Sequence, residues 1–169
     1  QICRNYGLYL IMDEVVCGFG RTGKFWGHDH YDVDPDALTI AKGLASSYEP
    51  ISATVVKQDI YDIFLNNPES REDRLNFFRD ISTYGGCAGP AAAALESLRI
   101  IEAENLVKNS RVMGDYLLES LEALRDLPLV GDVRGKGLFA GIEFVLDKKT
   151  KKPLPEKEMA AIMKAMVDQ

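Results

Sequence analysis

An acid and a lysine stand out because each follows a short apolar run, where a charged side chain is costly. Asp13 lies in "LYLIMDEVVC", and Lys42 follows "ALTI" in "LTIAKGL". A carboxylate in such a place needs a cation or hydrogen-bond donors to offset the water it loses. It could cap the following turn, or face a ligand at the carboxyl end of a strand, and position alone weighs the two equally. For Lys42 the ordinary reading is a surface amine at a strand end. The pair changes that balance. A lysine able to form a Schiff base and a carboxylate beside a pyridine nitrogen are the two protein groups that pyridoxal phosphate requires. Glu14 alternates to the other face of the strand and is assigned no role.

"GFGRTG", residues 18–23, fits the dinucleotide-binding pattern G-x-G-x-x-G. That reading requires a strand before the glycines, a helix opening on them, and an acid about 20 residues further on. The strand is present. The helix is not, because "KFWGHDHYDVDPD" carries Gly27, Pro35 and no helical spacing of apolar residues. Asp34 and Asp36 lie in a turn-like segment. The glycines therefore read as tight turns after the strand, with Arg21 expected to pair with an acid of the fold. His28 and His30 lack a third ligand at suitable spacing, so no metal is expected. Trp26, Tyr31 and Tyr48 read as packed aromatics rather than pocket lining.

The elements that must position these residues alternate. Apolar runs at residues 8–16, 37–40 and 51–56 read as strands of a mostly parallel sheet buried on both faces, and residues 59–67 as a short helix. Residues 66–78, polar and charged, read as an exposed loop. Helices are expected over residues 91–106 and 110–127, the second with Val112, Tyr116, Leu117, Leu121 and Leu124 inward. Two strands then surround a turn at Gly135–Gly137, an α+β pattern, with a domain boundary near residue 105. The ends look cut: "QICRNYG" reads as a helix end stopped at Gly7, and "PEKEMAAIMKAMVDQ" as a helix without a stop signal, so an internal fragment is expected.

Composition narrows the class. The 169 residues are 46% apolar and 27% charged, ordinary for a soluble globular protein. A net charge of −6 argues against a nucleic-acid surface, and "KKTKK" at residues 148–152 reads as a solvated hairpin loop. No apolar run nears the roughly 20 residues of a membrane span. Cys3, Cys17 and Cys87 have no zinc spacing and read as reduced thiols of a cytoplasmic protein.

The stretch "DEVVCGFGRTGKFWGHDHYDVDPDALTIAKGL" closely resembles the core of the class III pyridoxal-phosphate aminotransferases, the ω-amino acid:pyruvate group that includes the taurine–pyruvate type. "STYGGCAGPAAAALESLRIIEAENL" and "VGDVRGKGLFAGIE" look like later motifs of that family in the correct order. The resemblance implies an α/β fold of the type-I pyridoxal-phosphate transferases. Residues 1–105 would form the second part of the large mixed-sheet cofactor domain, and residues 106–169 the start of a small α+β C-terminal domain. It implies that Asp13 pairs with the pyridine nitrogen, Val15 packs on the ring, and Lys42 carries the cofactor as a Schiff base and shuttles the proton. Thr83 would bind the phosphate of the neighbouring subunit's cofactor in a homodimer. The implied reaction moves an amino group from an ω-amino acid or amine to a 2-oxo acid. The cofactor's phosphate loop and the arginine for the substrate carboxylate are expected outside the chain.

Three positions depart from the commonest family pattern. Ser47 and Ser52 stand where many relatives have glycine, and Cys87 where histidine or asparagine is frequent. These leave the cofactor assignment intact and bear on the substrate. An aminomutase or racemase would use Asp13 and Lys42 as well, and a non-catalytic fragment is a further alternative.

Overall fold

The computed structural model describes residues 1–64 and 82–168. The tail of the helix expected over residues 59–67 and all of the loop expected over residues 66–78 lie outside the described residues. The chain opens with a short helix, α1 (Ile2–Asn5), ended by Gly7 at φ 62°, a left-handed conformation that glycine adopts without strain. Three strands follow: β1 (Ile11–Asp13), β2 (Ala37–Ile40) and β3 (Ala53–Val56), side by side in that order.

The apolar run at residues 8–16 yields a strand of only three residues, for reasons at both of its ends. Before it, the Leu10 amide donates to the Asp36 carboxylate at 2.7 Å, while the Leu10 carbonyl accepts from the Asp36 amide at 2.8 Å. After it, Asp13 Oδ1 accepts from the Val15 amide at 3.0 Å and the Glu14 carbonyl from the Gly18 amide at 2.9 Å, which turns the chain out of the sheet.

β1 pairs parallel to β2, with Ile11 opposite Ala37 and Asp13 opposite Thr39, but β2 pairs antiparallel to β3, with Ile40 opposite Ala53. The expectation of a mostly parallel sheet is therefore half correct. A parallel return needs a crossover element, usually a helix. The link from β2 to β3 holds only a 3-10 turn at Lys42–Leu44 and a tight reversal through Ser46 and Ser47, at φ 51° and 65°. Expected burial on both faces also fails in this chain, since every residue of β3 is exposed.

After β3, α2 (Gln58–Ile63) begins. Gly86, at φ 77°, leads into α3 (Ala88–Ala103), which starts earlier than the composition suggests because Pro90 falls in the first turn, where its missing N–H goes unused. α3 buries Ala94, Ser97 and Ile101. Ala94 joins Ile40, Leu44 and Ala45 in a core packed by Phe19, Trp26, Leu38 and Ile51. The break before the next helix falls at Asn105, at φ 53°, so α4 (Leu106–Glu122) begins at Leu106, not residue 110. Val112 and Tyr116, expected inward, are exposed. The inner face is instead Gly114 with half-buried Leu117, Leu118 and Leu121.

That glycine is there for space. A Cβ on Gly114 would lie 2.3 Å from the backbone of Gly137, which sits in the turn between β4 (Val130–Lys136) and β5 (Phe139–Asp147). The turn therefore lies at Gly137–Leu138, and Gly135 pairs with Ala140 inside the ladder. β5 continues into β6 (Lys152–Pro153) through the lysine-rich hairpin expected from the sequence. There Asp147 Oδ1 accepts from the Thr150 amide and hydroxyl, and these bonds hold its carboxyl below the ordinary aspartate value. Val130, Val133, Val145 and Leu154 are buried in and beside the second sheet, and α5 (Glu156–Val167) follows.

Candidate active site

Parallel pairing brings Asp13 and Lys42 to one end of the sheet. Asp13 is the last residue of β1 and lies opposite Thr39, and the Glu14 amide extends that ladder by donating to the Thr39 carbonyl at 2.9 Å. Lys42 follows Thr39 after one further strand residue and Ala41. Carboxyl ends of parallel strands are where ligands of α/β proteins bind.

Lys42 occupies a left-handed conformation, φ 44°, unusual for a residue with a side chain. Its carbonyl accepts from the Ala45 and Ser46 amides at 3.3 and 2.9 Å, which fixes the turn that carries it. Behind that turn, a Cβ on Gly43 would press on Phe19 at 3.1 Å. Ser97 of α3, a residue the sequence reading passed over, donates to the Gly43 carbonyl at 3.4 Å, and its hydroxyl lies 3.0 Å from Ser46 Oγ. The Lys42 side chain is exposed and has neither hydrogen bond nor ion pair among the described residues. It borders a cleft of about 260 Å³ together with Val16, Phe19, Arg21, Ser46 and Ser110.

Asp13 is exposed as well, and it does act as a cap, through Oδ1 to the Val15 amide. Its Oδ2 has no partner among the described residues, so capping uses half of the carboxylate. Val15 is half-buried immediately beyond. Thr83 is exposed in a separate turn, held by the Gly85 amide donating to the Ser82 carbonyl at 3.0 Å, and does not border the Lys42 cleft. Ser47, at φ 65°, shows why glycine suits that position: a left-handed residue with a Cβ is strained.

The "GFGRTG" segment turns inward on itself. The Gly18, Gly20 and Gly23 amides donate to the carbonyls of Glu14, Phe25 and Gly20 at 2.9, 3.1 and 3.0 Å, so these three are not aimed at a phosphate. Gly20 and Gly23 have φ of 94° and 85°, and a Cβ on either would press on Val107 or Arg111 of α4. No helix opens on the loop. Asp34 pairs with Lys57 at 2.6 Å, which lowers the Asp34 pKa and raises that of Lys57. Arg21, expected to pair with an acid, makes no ion pair among the described residues. Its carbonyl accepts from the Leu138 amide at 3.0 Å, and the residue borders the cleft.

Glu14 was given no role from sequence, and here the structure corrects the reading. It is 1% exposed. Its Oε2 accepts from the Gly27 amide at 2.8 Å, and its Oε1 accepts from both the amide and Nδ1 of His28, each at 2.8 Å. The signal was the glycine: a Cβ on Gly27 would lie 3.1 Å from Oε2 and 2.7 Å from Cys17 Cβ. Burial, then the Glu14 and Asp13 carboxylates, push the Cys17 thiol above its ordinary pKa, so it stays protonated beside the site. His30 Nε2 lies 3.1 Å from both the carbonyl and the hydroxyl oxygen of Thr22. Trp26 packs edge-on to Phe19 and Phe25, as expected of a packed aromatic, whereas Tyr31 and Tyr48 are exposed and Tyr48 borders a second cavity against α3.

This donor set suits pyridoxal phosphate. A free amine for its aldehyde and a carboxylate oxygen for its ring nitrogen stand at neighbouring strand ends. Comparison with known proteins agrees. The class-III aminotransferase family matches residues 1–169. A taurine–pyruvate aminotransferase of Bilophila wadsworthia is 53% identical over 99% of the chain, and a hypotaurine/taurine–pyruvate aminotransferase of Paracoccus denitrificans 48% over 96%. An aminotransferase structure from Bacillus anthracis superposes with a TM-score of 0.91 at 49% identity, over 98% of this chain and 36% of that one. The chain spans about a third of the length of these relatives, 35% for both curated ones. With its motifs in order and its whole length matched, this chain belongs to the class-III aminotransferases, a pyridoxal-phosphate-dependent family.

Proposed function

We propose that the complete protein uses pyridoxal phosphate held at Lys42 to move an amino group from an ω-amino acid or amine to a 2-oxo acid, with pyruvate as the first acceptor to test. The observation that carries this reading is the register of β1 and β2, which sets at adjacent carboxyl ends an amine without a partner among the described residues and a carboxylate with one oxygen bonded to the Val15 amide. The names of the relatives, taurine–pyruvate and hypotaurine/taurine–pyruvate aminotransferase, favour pyruvate and a short ω-amino donor.

The cofactor, when bound, supplies an electron sink for the carbon that loses its proton. Lys42 Nζ would be its covalent anchor and, as a free amine, would serve as the base and acid for the substrate proton. Asp13 Oδ2 holds the proton of the ring nitrogen, while Oδ1 stays on the Val15 amide and keeps the carboxylate from rotating. Val15 packs on the ring. Thr83 would hold the phosphate of an opposite subunit's cofactor through its hydroxyl, and the working unit would then be a homodimer. The proposed division into a cofactor domain over residues 1–105 and the start of a small domain over residues 106–169 falls at the left-handed break between α3 and α4 at Asn105.

Borohydride reduction of the complete protein with pyridoxal phosphate, followed by peptide mapping, tests the anchor. Lys42 should carry the label, and Lys42→Ala should lose both label and turnover. Label on Lys24 or Lys57 instead overturns the assignment. Assay of taurine, β-alanine, putrescine and 4-aminobutyrate with pyruvate then identifies the donor.

A further inference from the structure

We infer that Glu14 is a positioning residue for the Asp13–Lys42 pair, with His28 as the side chain that locks it. The inference rests on the reading of Lys42 as cofactor anchor and names what holds its geometry. Glu14 stands between Asp13 and Val15, and all of its polar atoms are committed. Its amide bonds Thr39, three residues before Lys42, and its carbonyl bonds Gly18 at the start of the glycine turn. Its carboxylate, buried at 1% exposure, takes the first two main-chain amides of the 3-10 turn Gly27–His30 and the imidazole Nδ1.

One residue thus ties the end of β1 to the strand that leads to Lys42, to the glycine turn that borders the cleft, and to the Gly27–His30 turn behind it. The Asp13 side chain cannot share in this, because its only partner among the described residues is local, the Val15 amide. The direction of Asp13 therefore depends on the backbone of its neighbour. The side of the turn facing Glu14 is closed: Gly27 has no room for a Cβ, and the His28 ring lies parallel to Trp26, 6.4 Å between centroids. His28, 8% exposed, is held between that ring and the carboxylate, a geometry in which its Nδ1–H has one acceptor. Second-layer bonds of this kind orient the groups that touch a ligand.

The test uses the complete protein and three variants: Glu14→Gln, His28→Leu and His28→Asn. Gln keeps the size of Glu14 but turns an N–H toward donors. Leu removes the imidazole donor, and Asn returns an N–H near the place of Nδ1. Each variant is measured for Lys42 labelling, for the position of the cofactor absorbance band, and for single-turnover rate and KM with the amino donor. Lys42 should remain labelled in full. The single-turnover rate should fall about 100-fold in Glu14→Gln and about tenfold in His28→Leu, with KM little changed and the band shifted, because misplacement acts on the chemical step. His28→Asn should recover the parental rate and band.

Should Glu14→Gln fail to fold, the Leu and Asn pair decides. Equal rates in those two, or a rate loss that only tracks the fraction of protein without cofactor, overturns the positioning role. Parental rates in every variant overturn it too. Absence of label on Lys42 in the parent protein overturns the site assignment itself, a result that no outcome among the variants can imitate.

Discussion

At the scale of residues, Asp13 serves two ends, and its variants can separate them. Asn caps a turn much as Asp does, so Asp13→Asn should keep the bond to the Val15 amide and the fold. What it removes is the charge that would hold the proton on a ring nitrogen. Loss of one charge-assisted hydrogen bond weakens cofactor binding by about 1.5–3 kcal/mol. The loss of turnover should be larger, several orders of magnitude, because the electron sink fails in the chemical step. Steady-state rates and a cofactor titration of the variant check both. Near-normal turnover would mean that Asp13 is a turn cap and nothing more.

At the scale of elements, the turn after α4 is tied to β4 through Arg125. Its guanidinium bonds Glu122 and Asp132, each at 2.6 Å, and also donates to the Val133 carbonyl, while Arg134 bonds the second Asp132 oxygen at 2.9 Å. Arg125 first, then Arg134, lower the Asp132 pKa to about 2. A lowered aspartate pKa contributes stability above its unfolded value near 3.9, and the contribution is lost as pH falls toward the folded value. Asp132→Asn should therefore melt below the parent at neutral pH, and the gap should close between about pH 4 and 2. Because the cluster faces solvent, added salt should narrow the gap as well. Thermal melts across pH and ionic strength measure this, and a gap that persists at pH 2 would remove the electrostatic explanation.

At the scale of the whole molecule, Leu8 and Tyr9 before the sheet and Ile11, Val55 and Val56 within it are exposed in a chain that spans about a third of its relatives' length. Thr83 lies apart from the Lys42 cleft, as it would if it served another subunit's site. Subunit mixing tests that arrangement. If the protein is a homodimer with shared sites, Lys42→Ala and Thr83→Ala dimers would each lose both sites, whereas a mixed dimer would keep one site with Lys42 from one subunit and Thr83 from the other. Co-refolded or co-expressed variants should recover tight cofactor binding and turnover at that site. Mixtures no better than the two homodimers would place Thr83 outside any shared site.

Local chemistry determined much of this protein from sequence alone. Strand β2, helices α3 to α5, the glycine turns and the lysine-rich hairpin were all legible, because turn residues and helical spacing act within a few positions. The candidate pair Asp13 and Lys42 was legible too, as charged groups ending apolar runs. Four things waited for the tertiary structure. The strand at residues 8–16 shrank to Ile11–Asp13 because Asp36, remote in sequence, took the Leu10 amide. The β2–β3 ladder ran antiparallel because its link lacked a crossover. The inner face of α4 centred on Gly114 because the Gly137 turn lies against it. Glu14 is buried because its donors come from Gly27 and His28, beyond the reach of alternation along one strand. A buried carboxylate is decided by the donors that surround it, and those are set by how distant segments meet.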